Sequence, residues 1–163
     1  MTRSLVIGYG NPFRMDDGVG LVAVNRLRSR LGVPPVDCGE EGATDTDLPF
    51  DTLFLQQLTP ELAETVQAYD HLYLVDAHTG IYQELVHRER LAPHECPGLV
   101  SHILKPEHLL ALALSISGRA PETVLYSVRG YNFDFGEQLS PSTAEGVEQV
   151  VSEIWAALAP QDL

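Results

Sequence analysis

The chain has 163 residues, 44% of them hydrophobic, with 23 acidic against 10 basic residues and a formal charge of −13. That length suits one compact domain with a real core, and a mean hydropathy of −0.03 is too apolar for disorder. Such an acidic surface disfavours nucleic acid and anionic lipid as partners; no apolar run approaches the ~20 residues of a membrane helix, and the N-terminus lacks a signal-peptide core, so a cytoplasmic location is expected.

Hydrophobic patterning alternates strand and helix from end to end, which predicts an α/β fold with a largely parallel sheet and helices on both faces, residues 1–163 forming a single domain. Ser4–Tyr9 reads as the first strand, and Gly18–Leu31 as the first helix, stopped by Gly32-Val-Pro-Pro. Residues 36–51 are acidic and rich in Gly, Asp and Thr, and read as a variable loop. Thr52-Leu-Phe-Leu is a compact strand leading to a helix from Thr59-Pro60-Glu61 to about Ala68, with Thr59 placed to cap it. His71–Asp76 is the most strand-like run, apolar as a central strand covered on both faces should be. Tyr82–Leu91 reads as an antiparallel or edge strand, Lys105–Ser117 as a helix and Thr123–Val128 as a strand. Ser140-Pro141 opens the last helix, Thr143–Leu158.

The chemistry gathers at strand ends. Ile7-Gly-Tyr-Gly-Asn-Pro-Phe-Arg-Met-Asp16-Asp17-Gly-Val-Gly20 begins like a phosphate-binding turn, but Phe13 occupies the third glycine position of a dinucleotide fingerprint. Two adjacent aspartates beside a pyrophosphate would cost several kcal/mol if poorly solvated. A cation suits the turn better. One aspartate of the pair is expected to cap the first helix, which leaves the other free for chemistry. Asp76 ends the central strand and falls on the same rim, the crevice where open α/β sheets bind ligands. His102 lies just before the helix opening at Pro106 and reaches that rim too. His78 is its nearest competitor and is expected further out in the turn, while His108 lies inside the helix. His71, His87 and His94 read as surface or packing residues. Two carboxylates and one imidazole make a mixed oxygen and nitrogen site for a borderline divalent metal such as nickel or zinc. Cys38 and Cys96 are too far apart for a CxxC pair and read as free thiols.

At these residues the sequence resembles the nickel–iron hydrogenase maturation protease family. Leu5–Gly20 resembles the family's opening GN…DDGxG signature, His71–Ala77 its second and Ser101-His102 its third. Gln57–Ala63 and Arg129-Gly130…Phe133–Ser140 resemble one branch, associated with soluble cytoplasmic hydrogenases. The resemblance implies a three-layer α/β/α sandwich, phosphorylase/hydrolase-like, around a twisted, mostly parallel sheet of about five strands. It implies an endopeptidase that removes the C-terminal extension of an immature hydrogenase large subunit after nickel insertion. The metal-binding and catalytic residues carried over are Asp17, Asp76 and His102; the nickel comes with the substrate, and other divalent metals substitute. A monomer is favoured. The competing readings are a non-catalytic nickel-binding checkpoint or chaperone for a metalloenzyme subunit, and a nucleotide-binding module. With two carboxylates raising its pKa, His102 is expected to make activity fall in mildly acidic solution, before the carboxylates protonate.

Overall fold

The computed structural model describes residues 2–37, 47–95 and 104–160. The expectations for Cys38, Cys96 and His102, and for most of the 36–51 loop, lie outside them. Five strands form one sheet: β1 (Ser4–Tyr9), β2 (Asp51–Leu55), β3 (His71–His78), β4 (Val86–Leu91) and β5 (Glu122–Arg129), in the spatial order β2-β1-β3-β5-β4. All neighbouring pairs are parallel except β4, which runs antiparallel to β5 at an edge.

Alternation along the strands divides the core into two layers. Leu5 and Ile7 of β1 and Leu72 and Leu74 of β3 pack against α2 (Leu62–Val66) and α3 (Pro106–Ser117), where Leu109, Leu110 and Ala113 are fully buried. Val6 and Val75 point the other way, onto α1 (Val19–Leu31) and α4 (Pro141–Leu158) through Ala23, Leu27, Val147 and Val151. The result is a three-layer α/β/α sandwich. Among the described residues no helix is long and apolar enough to cross a membrane.

Helix ends follow local chemistry. Pro106 and Pro141 stand in the first turns of α3 and α4. Gly32 ends α1 at φ +75°, the left-handed conformation that a side chain resists. Two expectations shrink. The helix expected from Thr59 to Ala68 is α2 alone, and Thr59 does not cap it: the N-cap is Glu61, with no side-chain hydrogen bond. Its far end tightens into 3₁₀-type bonds, Ala68 N–H to Thr65 and Tyr69 N–H to Val66, as Tyr69 turns inward to donate to Asp51 at 2.6 Å. Of the strand expected over Tyr82–Leu91, only Val86–Leu91 joins the ladder. Tyr82 instead stacks flat on His87 at 3.5 Å.

From β1 the chain crosses to β2 on one side, and then returns to β3 on the other. The carboxyl ends of β1 and β3 therefore flank a topological switch point, where the crossovers diverge and leave a crevice.

Candidate functional site

The turn after β1 is built by glycines and by one strained residue. Gly10 has φ +138°, and a side chain there would collide with the main-chain carbonyl of Asp17. Gly8 and Gly20 let α1 lie directly on β1, since a Cβ on either would strike the other's backbone. Met15 has a positive φ of 46°, the one non-glycine so placed among the described residues, and its N–H donates to Gly136 at 2.8 Å.

The two aspartates divide their work, but not as expected. Neither caps: the 3₁₀ turn Met15–Gly18 and α1 both lack a side-chain cap. Asp16 is fully buried and reaches across to the far end of the chain. Its Oδ2 accepts Tyr131 N–H (2.7 Å), Asn132 N–H (3.0 Å) and the Ser140 hydroxyl (2.7 Å), and its Oδ1 accepts Ser140 N–H (2.6 Å). Burial alone would raise its pKa; the bonds from Ser140, Tyr131 and Asn132 outweigh that and hold it below the usual value. Asp16 is the anchor of the 130–140 loop. Asp17 faces the crevice, half-buried, with Oδ2 accepting Asn11 N–H at 2.8 Å. Burial raises its pKa, against the Asn11 bond and the charge of Arg14. The Asn11 amide of the turn is thus already occupied by a carboxylate, where a nucleotide loop would offer its amides to phosphate.

Asp76 projects from the face of β3 that carries Leu72 and Leu74, close to the switch point. Tyr9 donates to its Oδ2 at 2.9 Å and Ser127 to its Oδ1 at 2.7 Å. Burial pushes its pKa up to about 6; the Ser127 and Tyr9 bonds oppose this, and the nearby charge of Asp17 adds to it. The expectation that the carboxylates stay ionised through the mildly acidic range is therefore corrected for Asp76. Sequence reasoning missed Tyr9 and Ser127, although each lies on a strand whose end meets Asp76.

The strand continues past Asp76 to His78, which is buried rather than out in the turn. Its Nδ1 accepts Gly80 N–H at 3.1 Å, so the hydrogen of the neutral ring sits on Nε2. Nε2 has no hydrogen-bond partner: the Glu84 main chain lies close enough to favour the charged ring without bonding geometry. Burial dominates and lowers the His78 pKa. His71 pairs with Glu122 at 3.5 Å and His87 with Glu84 at 2.6 Å. His94 is in a loop and His108 is half-buried on α3. Among the described residues no group of three His, Cys, Asp or Glu side chains is placed to hold a metal ion. Asp17 and Asp76 supply two oxygen donors; the expected third ligand, His102, lies outside the described residues.

Other clusters are already satisfied. At the opposite end of the sheet Asp51 is taken up by Tyr69 and by Arg3 at 3.5 Å. A cavity of about 660 Å³ opens beside Val22, Arg26, Leu139 and Glu148, but Arg26 and Glu148 pair with each other at 3.1 Å.

No protein-family profile matches the sequence, and no curated protein does. Solved structures match its fold. A NiFe hydrogenase maturation protease, HycI from Thermococcus kodakarensis KOD1, is 21% identical, with 98% of this chain and 94% of that one covered and a TM-score of 0.66. The hydrogenase maturating endopeptidase HybD from E. coli is 22% identical over 96% and 92%, with a TM-score of 0.66. A NiFe hydrogenase maturation protease, HybD from Thermococcus kodakarensis, is 18% identical over 96% and 99%, with a TM-score of 0.65. This chain shares their fold over nearly its whole length.

Proposed function

We propose that the chain is an endopeptidase that removes the C-terminal extension of a nickel–iron hydrogenase large subunit after nickel insertion, acting as a monomer in the cytoplasm. The carrying observation is the pair of carboxylates at the switch point, Asp17 on the turn after β1 and Asp76 at the end of β3, where burial above all, and the charge of Asp17 in addition, raise the proton affinity of Asp76. Two like charges held together in a crevice are relieved by a divalent cation. The shared fold with solved hydrogenase maturation proteases supports this choice of substrate class.

In this reading Asp17, Asp76 and His102 engage nickel that arrives in the substrate, so cleavage waits on nickel loading. When engaged, the metal supplies Lewis-acid polarisation. Tyr9 and Ser127 hold the Asp76 carboxyl in place and favour its anion. At neutral pH a carboxylate of the pair accepts a proton from the attacking water. The water oxygen bonds to the carbonyl carbon, the carbon–nitrogen bond breaks, and the proton passes to the departing amine.

The test is incubation of the purified protein with nickel-loaded and nickel-free precursor subunit, followed by intact mass. Shortening of the nickel-loaded precursor alone is expected. Binding without shortening identifies a non-catalytic nickel checkpoint instead.

A further inference from the structure

Exposed apolar side chains stand on the turns at the carboxyl ends of the strands that border the crevice, in an otherwise acidic molecule. Phe135 is 86% exposed, Ile81 75%, Tyr131 57% and Phe13 48%. All four stand on the turns that follow β1, β3 and β5, the strands that carry Tyr9, Asp76 and Ser127. The turns are held rather than loose: Gly136 N–H donates to Phe13 and Met15 N–H to Gly136, each at 2.8 Å, and Asp16 fixes the loop's two ends. Rigid exposed aromatics lose little freedom on contact, which is how interface anchors behave.

Two arginines stand among them. Arg14 lies over the Phe135 ring at 5.3 Å, with its Nε donating to Phe133 at 3.3 Å. Arg129 lies over the Tyr131 ring at 5.0 Å, with its Nε donating to Gly130 at 3.1 Å. Gly80 makes room for it, since a side chain there would strike the Arg129 guanidinium. Three other arginines, Arg3, Arg26 and Arg119, are matched to carboxylates. Among the described residues Arg14 and Arg129 form no ion pair, and each is positioned by an aromatic face and one carbonyl. Their outer N–H groups are preset for a carboxylate from outside.

We infer that this aromatic–arginine rim docks the substrate segment flanking the cleaved bond, and that this segment carries acidic side chains beside apolar ones. The inference rests on the protease reading above and adds the chemistry of what the site accepts. A polypeptide whose bond reaches Asp17 and Asp76 passes beside Arg14 and Phe135, on the turns after β1 and β5, and Arg129, at the end of β5. A basic segment would be drawn to the rest of this surface, whose formal charge is −13. Among the described residues Arg30 and Arg88 also lie on aromatic rings without an ion pair, but on α1 and β4 rather than at the carboxyl ends of β1, β3 and β5. An acidic segment is repelled by the acidic surface as a whole, and at the crevice it meets the two unpaired guanidinium groups of Arg14 and Arg129, which fixes where it lands.

The experiment measures affinity for nickel-loaded precursor subunit by calorimetry, and cleavage by intact mass, for wild type, Phe135→Ser, Arg14→Gln/Arg129→Gln and the remote control Ile116→Ser. A second probe, a labelled peptide alternating Leu and Glu with both ends blocked, is compared with its Leu and Lys counterpart. Circular dichroism checks each fold. The rim variants are expected to bind precursor at least tenfold more weakly and the control to bind normally, with the Glu peptide bound and the Lys peptide not. Raising salt should weaken wild-type binding and strengthen that of the double arginine variant, whose remaining electrostatics are repulsive. Rim variants that bind and cleave at wild-type levels overturn the inference and leave the protease reading standing. Rim-dependent binding without cleavage by the wild type does the reverse. Equal binding of both peptides, or equal loss in Ile116→Ser, also overturns the inference.

Discussion

Tyr9 donates its hydroxyl hydrogen to Oδ2 of Asp76 over 2.9 Å, and through this contact the ends of β1 and β3 share one proton-sensitive group. The bond favours the anion, against burial and the charge of Asp17. Tyr9→Phe removes it, so the Asp76 pKa rises further. The acid limb of precursor processing should then move to higher pH. A pH series of initial rates for both proteins measures the midpoint; an unchanged midpoint would show that Tyr9 does not tune the acid.

Asp76 carries a signed consequence for stability. Its folded pKa of about 6 exceeds the unfolded value of about 3.9, so the folded state holds the proton more tightly. Its stabilising share is complete below the unfolded value, is lost as pH rises to about 6, and leaves a penalty of roughly 2–3 kcal/mol above it. Asp76→Asn cannot ionise. The variant should melt above wild type at neutral pH, lose that advantage in acid, and fail to process precursor. For the same reason His102→Gln should retain an acid inflection near that of Asp76. Melting curves and rates across pH read both effects.

Asp17→Asn should abolish processing and leave the melting temperature close to wild type. The amide oxygen still accepts Asn11 N–H, and the half-buried charge it replaces was disfavoured by burial. Only the anionic donor is lost. Processing by the purified variant at the wild-type rate would remove Asp17 from the site.

Asp16→Ala acts through the fold. It leaves the amides of Tyr131, Asn132 and Ser140 without their acceptor, at about 1–3 kcal/mol for each group left buried and unpaired. A total loss of about 3 kcal/mol lowers the melting temperature by about 10 °C in a chain of this size. Because the folded pKa of Asp16 is depressed, its stabilisation is present above the unfolded value and disappears as pH falls through the folded one. Thermal melts of wild type and variant should therefore converge in strong acid.

Two glycines give opposite outcomes. Gly20→Ala forces a Cβ into the backbone of Gly8 and Tyr9, which must part β1 from α1, at about 3 kcal/mol or more. Gly32→Ala meets open space and is strained only by its φ of +75°, at about 1 kcal/mol. Denaturant titrations separate them; equal midpoints would mean that the close approach is not required.

The elements were legible where one physical signal dominated. Ser4–Tyr9 is apolar on both faces and appears at those bounds, because a central parallel strand has no solvent side. The two capping prolines and Gly32 marked helix ends. Where long-range partners decide, the sequence misled. Thr59 reads as a cap until Tyr69 draws the chain toward Asp51. His78 reads as turn because nothing local reveals that β3 gains two more residues by pairing with β5. The Asp pair was separable in principle, but not its assignment. Which aspartate turns inward depends on Ser140, 124 positions away from Asp16.

That separation has a consequence for the order in which the protein becomes competent during synthesis. Asp16 emerges early, yet the hydroxyl and amides that hold it belong to residues made late. Until Tyr131, Asn132 and Ser140 leave the ribosome the buried carboxylate lacks these donors, and the turn bearing Asp17 has only its local bonds to hold it. The core strands can pair before then, whereas the mouth of the crevice is latched last. A nascent chain is in this way kept idle until the segment around Ser140 has been made and folded back onto Asp16.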